Sequence, residues 1–90
     1  MNNELNTKKW DKMNDLERLQ TLIGNEFDED EVVCAMIDKE DEYVQVSDLH
    51  RVSNFDGHGE CKEYQAYYEE SDDEGYSIFV DSNNIIVEIK

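Results

Sequence analysis

Four side chains of this 90-residue chain carry the chemistry of transition-metal ligands: Cys34, His50, His58 and Cys61. His58 and Cys61 form a loose H-x-x-C pair. A structural zinc site takes four ligands, usually as two closely spaced pairs. Cys34 and His50 are too far apart in the chain to supply the second pair. We therefore expect no metal, no cofactor, reduced thiols and exposed imidazoles. Acids are plentiful enough to raise calcium as well. A calcium loop alternates its ligands, with a Gly at position six and a Glu at twelve. Asp28–Glu31 has no Gly and runs straight into Val32 and Val33, whereas Asp72-Asp73-Glu74-Gly75 has its Gly too early. The chain has no glycine-rich phosphate loop and no G-x-S-x-G elbow. A glycosidase needs two carboxylates in a cleft, which a chain of this size rarely builds. The residues point away from an enzyme.

The carboxylates themselves are the outlier. There are 24 Asp and Glu against 8 Lys and Arg, a net charge of −16. Residues 1–23 carry four bases and four acids, so the whole excess falls in residues 24–90. The acids cluster as Glu26–Glu31 (five in six), Asp38–Glu42 (four in five) and Glu69–Glu74 (five in six). A turn needs no such density, since one or two Gly, Asn or Asp suffice. Solubility asks for a net charge of only about 2–8 on a small domain. Sixteen uncompensated charges repel one another and weaken the fold. The bland alternative is a set of solvated turns that keep the protein in solution.

A functional account explains the excess. Proteins that bind DNA line their sites with Lys and Arg to meet regular rows of phosphates. Alternate residues of an extended strand lie about 6.8 Å apart on one face, close to the step between phosphates. Asp28/Asp30, Glu40/Glu42 and Asp72/Glu74 have that separation if extended. The expected partner-binding residues are Glu69, Glu70, Asp72, Asp73 and Glu74, then Asp28, Glu29, Asp30 and Glu31, then Glu40, Asp41 and Glu42. Tyr67 and Tyr68 stand beside the first group as aromatic anchors. Such a surface repels nucleic acid and anionic membranes and attracts basic proteins.

These residues must be positioned by a small frame. Hydrophobic residues make up 38% of the chain, enough for a modest core in one domain spanning residues 1–90. Trp10, Met13, Leu16, Leu19, Leu22 and Ile23 recur at helical steps and end at Gly24. Thr7 or Asn14 is the N-cap. Residues 27–38 read two ways. Asp28 with Glu31 fits a capping box with Phe27 as a staple onto Val32. The β-branched residues favour the other reading: VVCAMID as a strand, KEDE as a turn and YVQVS as the returning strand. SNFDGHGE (53–60) reads as a loop. KEYQAYYEE puts Tyr64, Ala66 and Tyr68 on one face, and GYSIFVDS does the same with Tyr76, Ile78 and Val80. Asn83-Asn84 is a two-residue turn, after which Ile85, Val87 and Ile89 share a face. The fold class is α+β: an N-terminal amphipathic helix on an antiparallel sheet of four or five strands. No apolar run is long enough to span a membrane, and the N-terminus lacks an apolar signal segment. We expect a cytoplasmic protein.

Size, charge and this coarse architecture resemble the small, very acidic DNA-mimic proteins of phages and mobile elements: antirestriction proteins, anti-CRISPR proteins and the uracil-DNA glycosylase inhibitor. That inhibitor also pairs an N-terminal helix with an acidic antiparallel sheet, and DSNNIIVEIK is similar in kind to its final hairpin. We expect a monomer or homodimer that binds no nucleic acid itself, and the resemblance implies its mode of action. It would block the nucleic-acid site of a basic protein or nuclease complex, such as a host defence nuclease. The rival readings are an immunity protein or antitoxin that neutralises a nuclease toxin, and an acidic assembly module without inhibitory action.

Overall fold

The structure, a computed structural model, describes residues 13–39, 41–71 and 74–90. Two short helices, α1 (Asp15–Gln20) and α2 (Glu29–Ala35), precede four strands: β1 (Val44–Phe55), β2 (Gly59–Tyr68), β3 (Tyr76–Val80) and β4 (Ile86–Ile89). The strands form one antiparallel meander in the order β1-β2-β3-β4. This is the α+β class expected, with four strands and with two helices on one face.

Asn14 starts α1. Its Oδ1 accepts the Glu17 N–H at 2.9 Å, and its own N–H donates to Glu17 Oε1 at 3.2 Å, a reciprocal capping box. The alternative cap, Thr7, and the first apolar residue of the stripe, Trp10, lie outside the described residues. Leu19 and Leu22 are buried and Leu16 packs beside them, but Ile23 turns outward. The helix ends earlier than the expected stop at Gly24: Thr21 is its C-cap, and a turn follows. Gly24 closes that turn at φ +95°, a conformation costly for other residues, and its N–H donates to Ile86 O at 2.8 Å.

The strand expected at VVCAMID does not form: its first four residues complete α2, and Met36 is the C-cap. Asp28 is the N-cap and accepts the Asp30 N–H at 2.9 Å. Glu29, Asp30 and Glu31 fill the first turn, where the helix dipole favours negative charge. Val32, Ala35 and Met36 reach the core at three- and four-residue steps, while Val33 is left exposed. A strand would have buried alternate residues. The apolar run is too short to show its own period, and the acidic start decides it. Phe27 stacks on Tyr64 with ring centroids 4.4 Å apart, which anchors the chain entering α2.

On the sheet, Ala66, Tyr68, Ile78 and Val80 face the helices as the alternation predicts. β4 departs from it. Phe79 pairs with Glu88 and Val80 with Ile86, so Val87 is an extra residue in the ladder. The bulge turns Ile86 inward together with Ile89, in place of the Ile85/Val87/Ile89 face expected. The preceding turn is one residue longer than the Asn83-Asn84 pair. Asp81 and Ile85 close it, Asn84 takes φ +66°, and Asp81 Oδ1 accepts from Asn83 and Ile85 N–H at 2.9 and 3.0 Å. The 53–60 loop shrinks to residues 56–58, because Ser53, Asn54 and Phe55 pair with Cys61, Glu60 and Gly59. β1 is irregular between Asp48 and Val52, where His50 takes φ +56°. Beyond this bend the hairpin brings Phe55 against Phe79, with ring centroids 4.9 Å apart, on the sheet face away from the helices.

Candidate functional site

A buried polar network holds one end of the sheet. Arg18 and Asp15 are each 1% exposed. Arg18 Nη2 lies 2.5 Å from both Asp15 Oδ1 and Asp38 Oδ1, and its Nε donates to Ala35 O at 2.7 Å. A further guanidinium N–H donates to Met13 O. Asp15 Oδ1 also accepts the N–H groups of Ile37 and Asp38, each at 3.1 Å, and its Oδ2 accepts the Tyr68 hydroxyl. The Asp15 N–H returns to Asp38 Oδ2 at 3.1 Å. One cation and two carboxylates thus join α1, the exit from α2 and β2, and no buried side-chain polar atom among the described residues lacks a partner.

The titration of these groups follows from the geometry. Burial works against the Asp38 carboxylate, but the Arg18 guanidinium and the Asp15 N–H outweigh it and hold its pKa below 3.8. Burial likewise opposes the Arg18 charge, and the two carboxylates overcome it, so its pKa is raised. Burial first, and then the donation to Asp15, push the Tyr68 phenol well above 10.0.

Tyr68 is therefore not an exposed anchor. Its ring is in the core and its hydroxyl is engaged, which corrects its expected role as a partner contact. Tyr67 points to the opposite face and is half-buried. Asp38 is likewise held by Arg18, although its side chain remains 46% exposed.

The network places two acidic segments side by side. The segment after α2 carries Asp41 and Glu42, and the β2–β3 turn carries Glu69, Glu70 and Glu74. The Glu69 N–H donates to Tyr43 O at 2.8 Å, which extends the β1–β2 ladder. Lys39 Nζ donates to Ser71 Oγ at 3.1 Å, lies 3.9 Å from Glu42 Oε2 and stands over the Tyr68 ring. Gln45 Nε2 donates to Glu69 Oε2 at 3.2 Å, and Gln65 reaches Glu74 O. A cleft of about 370 Å³ separates the two segments, lined by Asp15, Asp38, Lys39, Tyr68, Glu74 and Tyr76. Glu40, Asp72 and Asp73 lie outside the described residues.

The third acidic group, Asp28–Glu31, is elsewhere. Glu26 bridges to Ile85 and the Phe27 N–H donates to Asn84 O at 2.8 Å, so this group begins beside the β3–β4 turn. That is the opposite end of β3 from the β2–β3 turn, about 17 Å along a five-residue strand. Asp28 and Asp30 are cap and helix residues, not an extended pair, so the phosphate-step spacing expected of them is corrected. The described acids of the three dense groups sit in turns and at a helix start rather than in rows along the sheet; the acids on strands, Asp48, Glu60, Glu63 and Glu88, are scattered over three of them.

Among the described residues no cluster of three or more His, Cys, Asp or Glu side chains could hold a metal ion. Cys61 is buried and Cys34 exposed, and both are free thiols. No described helix is long and apolar enough to cross a membrane. The residues that sequence reasoning missed are Asp15 and Arg18. They look like an ordinary surface pair three residues apart on a helix, and the apolar stripe beside them gives no sign that both are buried. No family model, curated protein or solved structure matches the chain. What its geometry defines is an acidic α+β module with one densely acidic end.

Proposed function

We propose that this protein is a DNA-mimic inhibitor that occupies the nucleic-acid-binding site of a basic protein, as an antirestriction or anti-CRISPR protein does. The observation that carries the reading is the convergence of Asp41, Glu42, Glu69, Glu70 and Glu74 at one end of the sheet, where backbone and side-chain bonds hold the two segments together. Segments held in this way need little backbone ordering on binding, and Gln45 also holds the Glu69 carboxylate. The Asp28–Glu31 group contributes less, because helix initiation already accounts for part of its charge.

The test is competition. The protein is titrated against DNA on a panel of nuclease complexes and on basic toxin nucleases. A mimic inhibits by displacing DNA, more weakly as salt rises, and does not bind DNA itself. Replacing Glu69, Glu70, Asp72, Asp73 and Glu74 with Gln then lowers inhibition at least tenfold while the circular dichroism spectrum is unchanged. Full inhibition after removal of all three acidic groups would refute the reading. Inhibition confined to a toxin nuclease would instead favour the immunity-protein reading.

A further inference from the structure

We propose that the open edge of β1, over residues 43–48, is a strand-addition site for an extended basic segment of a partner protein. β1 is the first strand of the sheet order, and among the described residues no strand pairs with its outer edge. The Glu69 N–H donates to Tyr43 O. Antiparallel ladders alternate hydrogen-bonded and non-bonded pairs, so Tyr43/Glu69, Gln45/Tyr67 and Ser47/Gln65 are the bonded pairs. Val44, Val46 and Asp48 lie opposite Tyr68, Ala66 and Tyr64. Their N–H and C=O groups therefore point away from β2, toward the open side. This row runs straight until the irregularity that begins after Asp48.

An edge strand is usually blunted by Lys, Pro or shortness. Residues 43–48 contain no Lys and no Pro, and Tyr43 is 77% exposed. α2 is the helix that packs on β1, and its exposed residues combine acids with Val33. Acids outnumber bases beside the edge: Asp41, Glu42, Asp48 and Glu69 flank it, with Lys39 against Glu42. A second copy of this chain would bring another sixteen negative charges to the same edge. A segment that alternates Lys or Arg with β-branched residues supplies the missing strand and the missing charge together. Main-chain bonds give such additions their affinity, and alternate side chains their specificity.

The experiment uses a synthetic ten-residue peptide of alternating Lys and Val or Thr, titrated into the isotope-labelled full chain. The expected result is saturable binding, with amide shifts and slowed exchange concentrated at Val44, Val46 and Asp48. Val46→Pro removes an outward N–H without touching the β1–β2 ladder, and should weaken binding at least tenfold. The same peptide N-methylated on one edge should lose binding to the same degree, a control that needs no folded variant. Shifts confined to Asp28–Glu31 and the β2–β3 turn, or equal binding by the N-methylated peptide, would overturn the proposal, since charge alone would then hold the peptide. Dimerisation of the chain through β1 in sedimentation would overturn it too. Glu70/Glu74→Gln, which spares the acids beside the edge, should weaken competition with DNA yet leave the shifts at Val46, which separates failure of this proposal from failure of the mimic reading.

Discussion

Buried Arg18 balances the buried Asp15 and the half-exposed Asp38, and this sets the sharpest expectation at the residue scale. Removing one partner of a buried pair leaves an uncompensated charge, at a cost of about 3–5 kcal/mol. Arg18→Ala should lower stability by that order in urea unfolding, whereas exchange of an exposed base such as Lys62 should stay within about 0.5 kcal/mol. Tyr68→Phe keeps the ring but takes the hydroxyl from Asp15 Oδ2 and from the Lys39 N–H. The unsatisfied acceptor should cost about 1–3 kcal/mol. The pH dependence has two limbs. Asp38 is held below its ordinary 3.8, so its contribution is present at neutral pH and is lost as pH falls through the folded value. Tyr68 and the buried Cys61 are raised above 10.0 and 9.0, so the unfolded chain releases those protons first and stability falls as pH rises past them. Melting temperature measured across pH should form a plateau with both shoulders. Tyr68→Phe should blunt the alkaline one.

At the scale of elements, the acidic turn between β2 and β3 depends on a close backbone approach. A Cβ on Gly75, which sits at φ +82°, would fall 2.1 Å from Ala66 O and 2.6 Å from Tyr67 Cβ. Gly57, in the β1–β2 turn, has φ +83° but open space around it. Both Ala variants pay for the left-handed backbone, about 1–2 kcal/mol. Gly75→Ala also forces the turn from the sheet, so it should be several times more damaging than Gly57→Ala in thermal unfolding. It should weaken inhibition as well, because it displaces Glu74. Asp28→Ala should cost about 1 kcal/mol through loss of the α2 cap.

For the whole molecule, the net charge of −16 is the governing quantity. Among the described residues Arg18 is consumed by Asp15 and Asp38, and Arg51 pairs with Glu63 at 3.1 Å. Most acids therefore face water and one another. Salt shortens their mutual reach to about 8 Å at physiological ionic strength. Melting temperature should rise as salt is added from near zero, while competition with DNA weakens over the same range. The two opposite responses, measured on one sample series, distinguish self-repulsion from attraction to a partner.

By itself, the sequence determined the features that depend on neighbours in the chain. The two-residue alternation of Tyr64, Ala66 and Tyr68, and of Tyr76, Ile78 and Val80, marks strands because successive strand side chains point to opposite faces. Asn14 is one of the two N-caps that the sequence offers, Thr7 being the other, and its reciprocal bonds with Glu17 became visible only in the structure. The three acidic groups are visible as runs. Tertiary structure decided what depends on residues far apart. The first four residues of VVCAMID joined a helix because the acidic start at Asp28–Glu31 and the burial of Val32 and Ala35 outweighed the β-branched residues. Val87 became a bulge because the pairing with β3, not the local pattern, fixes which isoleucines face the core. Asp15, Arg18 and Asp38 meet only when α1, α2 and β2 close around them, and the burial that makes their charges strong is a property of that closure. The same closure drew Tyr68 inward from the expected surface, tied the still exposed Asp38 to Arg18, and set the Glu69–Glu74 turn beside Asp41 and Glu42.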